Sequence, residues 1–196
     1  MITYKTRNRL IVLGAAAIVI LIVSAGMGKS YNRLVKMREE VKSELSQIDN
    51  QLQRRSDLIP NLVETVKNYA AHETAVFESI AEARAKLAGA SQLSDMAEAS
   101  AEVSRSLGRL LAIAEGYPEL EANRNFVLLQ DELAGTENRI AVARRDYNKA
   151  VQEFNTAIGS FPASIYAPLM GFREAEYFEV SEGAADKPDV GAIFGE

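Results

Sequence analysis

The sequence predicts an all-α protein, in which an apolar amino-terminal segment runs on into a bundle of four long helices. Three observations lead there. Apolar residues recur in alternating steps of three and four, the spacing that keeps one seam on one side of an α-helix. One run near the amino terminus carries no charge over a length that crosses a hydrocarbon core. No segment shows a convincing strand pattern.

The chain of 196 residues suits one domain, or one domain plus an anchor. Apolar residues at 47% and charged residues at 25% belong to a folded protein rather than a disordered one. A net charge of -5 argues against general nucleic-acid binding, which wants a basic face. Cysteine is absent, which removes a disulfide framework, a zinc-thiolate site and a thiol nucleophile. Trp is missing and there is one His, so few residue types remain for chemistry.

Residues 1–9 read as a short tail, and residues 10–28 (LIVLGAAAIVILIVSAGMG) as a transmembrane helix. Val23-Ser24-Ala25 resembles a small-residue cleavage site, so a removed signal peptide is the competing reading. Retention is favoured because the run is long for a signal and helical heptad sequence follows it. Lys5, Arg7 and Arg9 precede the span, and Lys29, Arg33, Lys36, Arg38 and Lys42 follow. The count of basic residues leans towards a cytoplasmic bundle, whereas an acid-free basic tail resists export, and the side stays undecided. Ser24 and Gly28 form a weak small-xxx-small pair.

Residues 29–180 read as the bundle. Its first helix carries Leu34, Met37, Val41, Leu45, Ile48, Leu52 and Arg55, continuous with the anchor from about Thr6. Ser56-Asp57 offers an N-cap with Pro60 in the first turn of a new helix; a kink at Pro60 within one continuous helix is the alternative. The second helix reads Leu62, Val66, Tyr69, Glu73, Val76, Ile80, Ala83 and Leu87, with Gly89 as its stop. Glu73 stands where an apolar residue is expected. Either it lies at the seam's edge, reaching a neighbouring arginine, or it is a buried proton or ligand site.

Small residues between Ser91 and Ala99 link to a third helix with Leu93, Met96, Ser100, Val103, Leu107, Leu110 and Ala114 on its seam. Gly116-Tyr117-Pro118 is a break, and Pro118 with Glu119 and Glu121 makes a helix start. The fourth helix is expected over 118–161, about 60 Å at 1.5 Å per residue. Its seam is Phe126, Leu129, Leu133, Thr136, Ile140, Ala143, Tyr147, Ala150, Phe154 and Ala157. A helix that long cannot bury its seam against itself and needs partners of similar length. A short helical cap interrupted at Pro168 follows, and residues 181–196 read as a mobile acidic tail.

The chain offers little that could do chemistry. His72-Glu73 opens like a zincin motif, but position 76 is Val and the second ligand is missing. No nucleophile elbow, Walker loop or dinucleotide fingerprint is present, and no catalytic, cofactor or metal residue is assigned. The carboxylate–arginine density reads as a solvated, ion-paired surface. Asn32, Asn61, Asn138, Asn148 and Asn155 stand out as mediocre helix formers that either set interhelical register or lie on the surface.

YNRLV (31–35), SQIDNQLQRRSDLIPNLVETVKNYAAHE (46–73), YPEL (117–120) and NFVLLQDELAGTENRIAVARRDYNKAVQEFNTAIGSFP (125–162) together resemble the LemA family, with PDVGAIF (188–194) a looser match. The resemblance implies a bacterial membrane protein with one amino-terminal span and an antiparallel, up-and-down bundle of bromodomain-like arrangement. It implies no enzymatic activity, and a related branch includes magnetosome-associated proteins. Among the matching polar residues, Arg55, Asp57, Asn61, Glu73, Glu137, Asn138, Arg144 and Asn148 read as an interhelical or assembly network.

The resulting expectation is a non-enzymatic, self-assembling scaffold in the bacterial inner membrane, held to the bilayer by residues 10–28. It would act as a homo-oligomer, with no cofactor and no nucleic-acid partner. The second reading is an adaptor or regulator of another membrane protein, such as a quality-control protease or an envelope signalling system, working through the acidic tail.

Overall fold

The first heptad series runs farther than its proline suggests. In the computed structural model, which describes residues 4–179, one helix, α1, spans Tyr4–Lys67 with Pro60 inside it. The expected break at Ser56-Asp57 is therefore absent. Proline has no N–H, and in a helix interior it strands the carbonyl four residues back. Here that carbonyl belongs to Ser56, and Arg84 Nε donates to it at 3.1 Å. A side chain from elsewhere in the chain thus replaces the lost helical donor.

The real break comes after Lys67. The N–H groups of Tyr69 and Ala70 both turn back to the Val66 carbonyl, and α2 begins afresh at Thr74 and runs to Gly89. Glu73 is the N-cap position of α2, partly exposed and outside the apolar seam in which the spacing placed it. Ala90–Gln92 suffices as the link to α3, Leu93–Ala114. On α3 the residues Met96, Ser100, Val103, Leu107, Leu110 and Ala114 are buried, following the three-four spacing.

The helix expected over 118–161 is two. Pro118–Glu121 forms a single turn, α4, and α5 spans Arg124–Gly159. Asn123 starts the second: its Oδ1 accepts the N–H groups of Asn125 and Phe126 at 2.9 and 3.3 Å, the geometry of an asparagine cap. Thr136, the one polar member of the seam, is fully buried and donates its hydroxyl to the Leu133 carbonyl at 2.7 Å. Farther along, the deepest residues are Val151, Phe154 and Ile158 rather than Ala150 and Ala157. A 3.6-residue helix drifts against a strict heptad by about 20° per repeat, enough to move the seam by one position. A last turn, α6, covers Ala163–Tyr166, followed by a 3-10 turn at Pro168–Met170. Gly171, at φ 79, supplies the left-handed step that ends it.

The fold divides into two units. One comprises the described parts of Met1–Lys42 and Ala150–Ala175, the other those of Ser43–Lys149 and Glu176–Glu196. In the second unit Ile59, Leu62 and Val66 of α1, Phe77 and Ile80 of α2, Leu107 and Leu110 of α3, and Phe126 and Leu133 of α5 share one apolar cluster. Burying each such side chain contributes roughly 1.5–3 kcal/mol, so the shared cluster makes this a helical bundle. α2 and α3 are joined further by Lys86 to Glu102 at 2.9 Å and by the hydroxyls of Ser79 and Ser106, also at 2.9 Å. In the first unit Leu34, Phe154, Tyr166 and Phe172 are buried, and Phe172 meets Tyr31 edge-on at 5.6 Å.

No strand occurs among the described residues. Among them, too, no helix is long and apolar enough to cross a membrane. Most of the expected span at residues 10–28 falls on side chains outside the described set, as does the tail at 181–196.

Candidate functional site

The bundle unit buries charge. Arg55 follows Leu52 by one helical step, so the seam of α1 carries its guanidinium inward, where the residue keeps 5% of its exposure. Glu137 of α5 meets Arg55 Nη1 at 2.6 Å while remaining half-exposed itself. Two turns farther along α5, Arg144 Nη2 donates to the Ser100 hydroxyl of α3 at 2.8 Å. The Phe178 ring covers the Arg144 guanidinium at 4.7 Å, a cation–π contact. Three helices and an extended segment thus converge on two arginines.

The electrostatics are unbalanced. Burial pushes the Arg55 guanidinium below its ordinary pKa, and Glu137 pulls it partly back. Burial likewise lowers Arg144, with Glu137 opposing and the positive charge of Arg55 adding to the fall. One carboxylate therefore serves two cations. Among the described residues, Arg55 Nε and Nη1 and Arg144 Nε find no acceptor in hydrogen-bonding geometry. The short Arg55–Glu137 contact is an ion pair rather than an aligned fork.

Extended backbone after Gly171 is held by asparagines. In the first unit, Asn155 accepts the Ala175 N–H and donates to the Ala175 carbonyl, both at 2.9 Å. In the second, Asn148 does the same to Phe178, at 2.8 Å from its N–H and 3.1 Å from its carbonyl, and Tyr147 donates its hydroxyl to the Glu176 carbonyl at 2.8 Å. An amide is the side chain that can donate and accept side by side, as an extended residue requires. These asparagines therefore bind main chain, not a second helix.

The remaining residues singled out by sequence lie apart from this cluster. Asp57 is exposed and accepts from Gln53 one turn earlier in α1, at 2.8 Å. The Asn61 carbonyl takes the Thr65 hydroxyl at 2.8 Å, and its side chain is exposed. Asn138 is exposed on the wall of a groove between α1 and α5 that also includes Gln51, Arg139, Val142 and Asp146. Ser100 and Phe178 were not named as site residues. Ser100 had a signal, a hydroxyl in an apolar series; Phe178, outside any periodic apolar series, had none.

The arrangement ties α1, α3, α5 and the segment around Phe178 together through polar and charged side chains. No nucleophile stands beside a base in the cluster, and among the described residues no three His, Cys, Asp or Glu are placed to hold a metal.

Comparison with known proteins adds a family. The family model described as LemA family matches residues 44–191. The chain is 28% identical over 209 positions to magnetosome protein MamQ 1 of Paramagnetospirillum magneticum (strain ATCC 700264 / AMB-1), covering 93% of this chain and 76% of that protein. It is 27% identical to magnetosome protein MamQ of Magnetospirillum gryphiswaldense, over 82% of this chain and 68% of the other. It is also similar to protein LemA of Metamycoplasma hominis, at 23% identity over 77% and 69%.

Proposed function

This chain belongs to the LemA family, and on that premise we propose that it is a non-enzymatic, membrane-anchored scaffold of the bacterial envelope that works by assembling with itself. The uncharged run at residues 10–28 serves as the anchor, and the bundle takes the up-and-down arrangement that the family resemblance implies. Anchoring confines copies to one bilayer and raises their effective concentration, so a modest contact suffices for assembly.

The observation that carries this reading is the groove between α1 and α5 in the bundle unit. It encloses about 360 Å³. Val142 stands 47% exposed on its wall, and the buried Gln51 Oε1 has no donor among the described residues. Glu44, Arg139 and Asp146 also line it, so the same patch carries both signs. A patch that carries both signs around an apolar centre has the groups that a two-fold pairing with its own copy needs. A second copy of this chain is the occupant assigned to it.

Light scattering after size exclusion of the detergent-extracted full chain tests the proposal. The expected result is an oligomer that Val142→Glu converts to monomer with helicity unchanged. A wild-type monomer at high concentration would end the reading.

A further inference from the structure

The apolar cap at the end of the chain's helices buries some of its large side chains in the core and leaves others exposed. Ala163, Tyr166, Ala167 and Phe172 are buried. Phe161, Ile165 and Leu169, each four residues from the next, are 82%, 65% and 86% exposed. A lone exposed apolar residue is ordinary, but three large ones within nine residues of a segment without charge are not. From Ser160 to Phe172 the sequence SFPASIYAPLMGF contains no charged residue.

The cap's place on α1 identifies what covers the exposed side chains. Within the same unit, the Tyr166 hydroxyl bonds the Ser30 hydroxyl, and Phe172 packs on Tyr31. Ser30 stands two residues beyond Gly28, where the uncharged run ends. The cap thus docks at the level where the anchor would leave hydrocarbon. There α1 carries Lys29, Arg33, Lys36 and Arg38 with no acid among residues 29–38, and the first three are exposed. Positive charge beside apolar and tyrosine side chains suits the headgroup layer of an anionic bilayer.

We propose that Phe161, Ile165 and Leu169 form a second membrane contact, inserting into the interfacial layer of an anionic phospholipid bilayer beside the anchor. The proposal rests on the anchored reading of residues 10–28. An element with exposed apolar side chains lies in the plane of the interface and adds to the attachment without spanning it. The contact would also fix the tilt of α1 as it leaves the bilayer, because one helix and one cap then meet the surface together.

The chain has no cysteine, so single substitutions can be labelled cleanly. Phe161→Cys, Ile165→Cys and Leu169→Cys, each carrying an environment-sensitive fluorophore, are placed in nanodiscs of brominated phosphatidylglycerol and phosphatidylethanolamine. Leu13→Cys reports the anchor and Glu64→Cys the bundle surface. The expected result is quenching and a blue shift at the three cap positions and at residue 13, with none at residue 64. Quenching at 13 with unquenched cap positions overturns the cap contact and leaves the anchor standing. No quenching at 13 or at the cap overturns both.

Discussion

Arg84 Nε reaches the Ser56 carbonyl at 3.1 Å, the acceptor that Pro60 leaves without its helical partner. The same Nε lies 3.2 Å from the Ser56 hydroxyl. A proline in a helix interior costs about 3 kcal/mol, partly through that lost bond. Arg84 returns a charged donor to it, and α1 runs on for about two more turns to Lys67.

Arg84→Leu should therefore destabilise the bundle by roughly 1–2 kcal/mol, the range for a partly exposed bond from a charged donor. In a Pro60→Ala background the loss should shrink, because the introduced alanine supplies the N–H itself. Urea unfolding of all four members of the cycle, followed by helical circular dichroism, measures the difference. Equal losses in both backgrounds would mean that Arg84 acts elsewhere.

Among the described residues, Glu137 is the carboxylate paired with the buried Arg55. Removing a partner from a buried pair costs about 3–5 kcal/mol. Because Glu137 is half-exposed, Glu137→Gln should lose less, about 2 kcal/mol. Arg55→Met combined with Glu137→Gln should recover much of it, since the buried guanidinium at position 55 is then gone along with its partner. Thermal midpoints of the single and double variants decide the matter; a double variant weaker than both singles contradicts it.

Asn148→Leu removes both bonds to Phe178 while leaving α5 helical. The extended segment should then open, with faster hydrogen exchange at the Phe178 amide and faster tryptic cleavage at Arg173. Asn148→Asp should open it nearly as far, because a carboxylate accepts the N–H but faces the carbonyl without a donor. Exchange rates equal to wild type would show that the Tyr147 bond and the Phe178 ring hold the segment without Asn148.

Burial raises the Tyr147 pKa, with the Glu176 charge adding to the effect. A group whose folded pKa is raised holds its proton more tightly when folded. Its contribution is complete below the unfolded tyrosine value near 10 and is lost as pH rises through the folded one. Stability should therefore fall above about pH 10. Tyr147→Phe should be weaker at neutral pH, having lost the bond to Glu176, yet show a shallower alkaline decline. Urea midpoints between pH 8 and 11 test both signs.

The seams of α3 and of the first half of α5 were legible because burial there follows a local period. Leu107, Leu110, Phe126 and Ile140 face the core for the same reason that they recur in steps of three and four. Other features had no local signal. The break at residues 68–73 contains neither Gly nor Pro, and Pro60, the strongest breaker nearby, does not break α1. Arg55 could be seen at the end of an apolar series, but not that Glu137 would meet it. Asn148 and Asn155 stood out as poor helix formers, though their partners are backbone groups that no side-chain pattern encodes.

What the chain determined by itself is its helical character, its apolar seams and its family, because each depends on residues close together or on matched runs of sequence. Tertiary structure decided where the helices stop and which polar groups are satisfied. Those outcomes hang on donors and acceptors that meet across long separations, as Arg84 does Ser56, and no periodicity carries that information.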